Sequence, residues 1–145
     1  MLVQDRQTAR QFFVETWRKY RSRAVLEPLE DLVAQVILWH PEYHSLLEKG
    51  EDIVHCPYLP EMEESNPFLH MGLHIAVREQ LLTDRPPGIM SIHRGLLRRF
   101  DDPHELEHRM MECLAEALWA AQQKNELPNE QVYLECLRRI SEGEG

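Results

Sequence analysis

Apolar side chains recur along this chain at three- and four-residue steps, in pieces bounded by proline and glycine. Phe12, Phe13, Thr16, Trp17 and Tyr20 mark an amphipathic helix over 5–23 with a basic back. Pro28 opens a second helix at its first position, where the missing N–H is harmless, and Leu29, Leu32, Val33, Val36, Ile37 and Leu38 carry it to Trp39-His40. Pro41 biases His40 out of the α region and bends the chain there. A short helical continuation over 42–49 then stops at Gly50.

Residues 50–65 contain Pro57, Pro60 and five acidic residues without periodicity, which predicts one long irregular loop, either mobile or functional. Asn66-Pro67 reads as an N-cap with proline behind it, opening a helix to about Thr83. A shorter helix spans 89–100. Asp102-Pro103-His104-Glu105 has the form of a capping box, and its helix runs through Met110, Cys113, Leu114 and Ala117 to about Lys124. Leu127-Pro128-Asn129 breaks it, and a last helix over 129–141 is expected to bury Val132, Tyr133, Cys136, Leu137 and Ile140. No segment alternates as a strand would. The expected fold is all-α: one domain over 1–145, a helical bundle of about five or six helices.

Composition narrows the function classes. A hydrophobic content of 43% with 28% charged residues suits a soluble globular domain. No apolar run approaches the roughly eighteen residues of a membrane span, and the first residues lack a signal-peptide core, so a cytoplasmic protein without a membrane partner is expected. The net charge of −9 repels phosphate backbones and argues against the whole surface binding nucleic acid, so no nucleic-acid partner is expected. The first 25 residues run against this balance, with Arg6, Arg10, Arg18, Lys19, Arg21 and Arg23 against Asp5 and Glu15. That is the solvated face of a helix, or a surface for an acidic partner. Cys56, Cys113 and Cys136 are an odd set without a CxxC spacing; reduced thiols are expected, with Cys113 and Cys136 as small core residues.

The chemistry lies in the histidines. Three of the pairs formed by the eight histidines are spaced i,i+4: His40/His44, His70/His74 and His104/His108. Random placement would give about 0.4 such pairs. Two imidazoles one helical turn apart can converge on one ion, and zinc, iron and manganese all accept them. His70, His74 and His108 lead the candidate ligands, followed by His40, His44, His104 and Glu112. Structural readings stand beside these. The helix around His70 and His74 is apolar nearly all round, so both could be satisfied core histidines, and Pro41 sits between His40 and His44. His55 and His93 are isolated and read as non-ligands. Arg78, one turn after His74, reads as an ion-pair partner for an acidic residue, with an anionic ligand as the alternative.

His104-Glu105-Leu106-Glu107-His108 also satisfies the H-E-x-x-H pattern of zinc peptidases, in which the glutamate acts as general base; Glu105 is that candidate here. The motif sits in a first helical turn, lacks the Gly-x-x-His extension, and has no strand to hold an extended substrate. Glu105-x-x-His108 would fit a carboxylate-bridged two-metal bundle, which needs a second such motif on another helix. Gly-rich phosphate loops and G-x-S-x-G are absent.

The segments 12–19 (FFVETWRK), 40–44 (HPEYH), 66–80 (NPFLHMGLHIAVREQ), 84–89 (DRPPGI) and 107–114 (EHRMMECL) resemble a bacterial family catalogued as domain of unknown function 1841. The resemblance covers nearly the whole chain. It implies a small cytosolic protein and brings no established activity. Three readings follow: a metal-binding helical protein, with hydrolysis or oxygen chemistry if catalytic; a non-catalytic interaction module with structural histidines, which could include self-association; and a zinc peptidase built on the H-E-x-x-H motif.

Overall fold

A computed structural model describes residues 6–54 and 67–141. Among the described residues the chain is all-α, with no strand. Its helices are α1 (Arg6–Arg21), α2 (Pro28–Leu38), α3 (His44–Leu47), α4 (Glu51–Val54), α5 (Pro67–Thr83), α6 (Ile89–Leu97), α7 (Pro103–Gln123) and α8 (Glu130–Ser141), with a 3-10 turn at Pro41–Tyr43 before α3. The count exceeds the five or six expected because Pro41 cuts off the single turn of α3 and the supposedly irregular stretch begins with the single turn of α4. The remainder of the expected loop, with Asn66 as cap, His55 and Cys56, lies outside the described residues. No helix is long and apolar enough to cross a membrane, among the described residues.

The residues group into two compact units, 1–75 and 76–145, with α5 contributing to both. In the first, α1 packs on α2, α3 and α4. Phe13, Val14 and Trp17 of α1, Val33, Val36 and Ile37 of α2, Leu46, Leu47 and Val54, and Phe68, Met71 and Ile75 of α5 form its core. Each fully buried aliphatic or aromatic side chain contributes about 1.5–3 kcal/mol, so this cluster holds the short helices in place despite their length. Glu27 caps α2, and the Glu30 side chain reaches back to accept the Glu27 N–H at 2.9 Å. The reciprocal cap expected at Asp102 is simpler: Asp102 accepts the His104 N–H at 3.0 Å, on the second helical residue.

The basic back of α1 is only partly solvated. Arg10 is buried, its guanidinium 5.2 Å from the Phe68 ring centre, a cation–π contact beside the Phe13–Phe68 ring pair at 5.7 Å. Arg18 pairs with Glu15 (2.8 Å), Lys19 with Glu30 of α2 (2.7 Å) and Arg21 with Glu48 (3.7 Å). These cations meet acids of their own unit.

In the second unit α7 packs against α8 and α6, and α6 also packs on α8. Leu96, Leu106, Met110 and Leu137 are wholly buried. α6 ends at Leu97, short of the expected Phe100. Val132, expected inside, is 40% exposed, and Leu134 takes the buried place. The helical period of α8 centres its inner stripe on Tyr133, Leu137 and Ile140. The cysteines correct the sequence reading: Cys113 and Cys136 are joined in a disulfide rather than held as reduced thiols. Packing of α7 on α8 brings their Cα atoms to 5.7 Å, within disulfide range, a pairing that sequence spacing does not encode.

Candidate metal centre

The centre begins where α2 stops. Trp39 closes the helix, and Pro41 holds His40 at φ −126°, ψ 65°, outside the α region. A helix ending this way leaves its last carbonyls without an i+4 N–H: Val36 and Ile37 accept only from the N–H three residues on, Trp39 at 3.2 Å and His40 at 3.0 Å. Both histidines of the first pair bring those two carbonyls a second partner. His40 Nδ1 lies 2.8 Å from the Val36 carbonyl oxygen, and His44 Nε2 lies 2.8 Å from that of Ile37. A carbonyl only accepts, so His40 carries its proton on Nδ1 and His44 on Nε2. The two rings then face different surroundings. His44 is tilted at 35° against Trp17 with ring centres 4.4 Å apart, whereas His40 is buried and lies parallel to Tyr43 at 5.6 Å.

His40, with Nδ1 occupied, turns Nε2 toward α5. That nitrogen lies 3.1 Å from Nε2 of His70, and the two rings meet edge to face at 4.8 Å. His74, one turn further along α5, is fully buried, with ring centres 5.2 Å from His40 and 5.4 Å from Trp39. A ring nitrogen of His40 and one of His74 lie within 4.8 Å of each other. Two nitrogens on one tetrahedral zinc, with bonds near 2.1 Å, stand about 3.4 Å apart. The His40–His70 spacing is thus close to that of a ligand pair, and the His40–His74 limit of 4.8 Å is wider.

The sequence paired histidines along each helix; packing pairs them across two segments, His40 with His70 and His74. His44, spaced one turn from His40 in sequence, instead directs its Nε2 onto the Ile37 carbonyl at the end of α2. The sequence reading missed the Val36 and Ile37 carbonyls. The signal available was Pro41, which ends α2 directly beside two rings able to donate to those carbonyls.

A family model for a domain of unknown function, DUF1841, matches residues 5–139. The chain belongs to the DUF1841 family. No curated protein and no solved structure matches it. Family membership therefore names this DUF1841 chain without assigning a reaction.

The remaining candidates of the DUF1841 chain lie in the second unit. His104 and His108 are both partly buried on α7, one turn apart, with the His104 N–H committed to the Asp102 cap. Glu105, the candidate peptidase base, is exposed. The carboxylate of that motif which enters the interior is Glu107, at 3.2 Å from Arg78 Nη1. Arg78 is thus the ion-pair partner expected of it. Glu112 is exposed and paired with Arg109 at 3.7 Å. His93, read as isolated, is partly buried in α6, and burial holds its pKa below the usual imidazole value, with nearby Arg78 acting in the same sense and Glu107 against it. Its Nε2 has no hydrogen-bond partner among the described residues.

Proposed function

We propose that this protein binds a divalent transition metal, with His40, His70 and His74 as the imidazole ligands. The observation that carries the reading is the 3.1 Å approach of His40 Nε2 to His70 Nε2, with His40 Nδ1 directed onto the Val36 carbonyl. A metal-bound histidine characteristically donates its other ring N–H to a carbonyl or carboxylate, which sets the tautomer and raises ligand basicity. His40 has that arrangement already. Without an ion the short N···N contact is a hydrogen bond in which His70 donates. With an ion, both nitrogens present lone pairs and the His70 proton moves to Nδ1.

Three imidazoles would leave a coordination position for water, as in catalytic zinc sites, so hydrolysis is the first class of reaction to test, and oxygen chemistry the alternative if the metal is iron or manganese. Peptidase chemistry through Glu105 is less well supported, because an exposed carboxylate has nothing to fix it against an activated water.

Elemental analysis of untagged protein by mass spectrometry tests the reading, on wild type, His40→Ala, the double variant His70→Ala/His74→Ala, and His108→Ala. About one zinc, iron or manganese per chain, lost in the first two variants, supports it. Wild type that stays metal-free after incubation with those ions retires it in favour of the interaction module with structural histidines. Loss only in His108→Ala would move the site elsewhere.

A further inference from the structure

The α7–α8 disulfide lies in a cavity of about 270 Å³ whose walls are two helical stripes. Arg109, Glu112, Cys113 and Glu116 come from α7 at i, i+3, i+4 and i+7, and Cys136, Arg139 and Ile140 come from α8 at i, i+3 and i+4. The sulfurs are unequal. Cys113 is buried, 4% exposed, while Cys136 is partly exposed. Arginines stand one turn before Cys113 and just under one turn after Cys136, and a glutamate stands on either side of Cys113. A cavity lined by both charge signs and floored by an accessible disulfide matches a small zwitterionic thiol.

We propose that Cys113–Cys136 is a thiol–disulfide exchange site for a low-molecular-weight thiol of the glutathione class. The incoming thiolate attacks Cys136 Sγ, the accessible sulfur; the bond to Cys113 breaks and the Cys113 thiolate leaves. A second thiolate attacks the adduct on its small-molecule sulfur, releasing the oxidised dimer of the thiol and the Cys136 thiolate, and both cysteines take up protons. Two electrons enter the protein and two small thiols are oxidised. Such reversible chemistry is the form a disulfide takes in a reducing compartment, and it reconciles this bond with the cytoplasmic location expected from the sequence.

The test uses the full chain, without denaturant, in reduced glutathione buffered at cytosolic strength, with alkylation and peptide mapping to separate Cys113, Cys136 and Cys56. The expected result is opening of the bond in the native state, with the transient glutathione adduct on Cys136. In Cys113→Ser, oxidised glutathione should modify Cys136; in Cys136→Ser, Cys113 should be modified about tenfold more slowly or not at all, following its burial. Arg109→Ala/Arg139→Ala should slow exchange with glutathione, which carries carboxylates besides its thiolate, by about tenfold, the lower end of what charge steering supplies, and slow exchange with 2-mercaptoethanol, whose only charge is the attacking thiolate, distinctly less. A bond that opens only after unfolding, an adduct on Cys113, equal slowing with both thiols, or cysteines that remain reduced in oxidised glutathione would each overturn the assignment.

Discussion

His40 and His70, thirty residues apart, place their Nε2 atoms 3.1 Å from each other while His40 Nδ1 holds the carbonyl of Val36. Neutral imidazoles that close share one proton or one cation. His44, four residues from His40 and equally well spaced in sequence, spends its Nε2 proton on Ile37 and its ring face on Trp17. The contrast separates a proposed ligand from a brace and can be measured. His44→Ala should leave metal content unchanged and lower stability by about 1–3 kcal/mol, by urea denaturation, through the lost bond and ring contact. His70→Ala should abolish metal binding. A His44 variant that loses the metal, or a His70 variant that keeps it, would reverse the two roles.

Glu107 is buried and its carboxylate meets Arg78, whose side chain is 28% exposed. Removing one charge leaves the other with its interior partner gone, so Glu107→Leu alone, or Arg78→Met alone, should cost about 3–5 kcal/mol. The double variant should recover most of that. Equal loss in the double and single variants, by chemical denaturation, would show that the pair's worth lies in packing rather than charge.

His93 gives a pH signature. Its pKa is held below the unfolded value near 6.5 chiefly by burial, so the unfolded chain takes up the proton first as pH falls. The stability linked to His93 is therefore present above about pH 6.5 and is lost as pH drops toward the depressed value. Melting curves of His93→Leu against wild type should show a flatter acid slope in the variant. Parallel slopes from pH 7 to 5 would remove His93 as the source.

Asp84 starts α6 from a distance. Its Oδ1 accepts the N–H of Met90 at 3.0 Å and of Gly88 at 3.3 Å, and its backbone lies in the left-handed region at φ +52°. Asparagine tolerates that conformation and keeps the oxygen, whereas alanine does neither. Asp84→Ala should cost about 1–2 kcal/mol by thermal denaturation and Asp84→Asn distinctly less. Equal losses would point away from the cap.

Glu30 joins the two ends of α2's first turn to α1. Its pKa is lowered by the Glu27 N–H and then by Lys19 at 2.7 Å. A depressed carboxyl stabilises the fold above its unfolded pKa and loses that contribution as pH falls through the folded one. Glu30→Gln should therefore lower the melting temperature at pH 7, with the gap starting to close near the unfolded value of about 4.3 and vanishing only below the depressed folded one. A difference that persists at low pH would mean the loss is not ionic.

What the sequence determined alone was where the longer helices begin. Proline at Pro28, Pro41, Pro67 and Pro103, the positive φ of +65° at Gly50 and the cap at Asp102 act within a turn, so their effect needs no distant partner. The all-α class and the helix over Pro67–Thr83 followed from such local rules. Tertiary structure decided which side chains meet: His40 with His70 rather than His44, Arg78 with Glu107, Cys113 with Cys136, and Arg10 with Phe68. Those pairings are separated by 23 to 58 residues and depend on which helix faces bury together. Periodicity marks the buried face of each helix, but the choice of opposing face rests on the packing of whole cores.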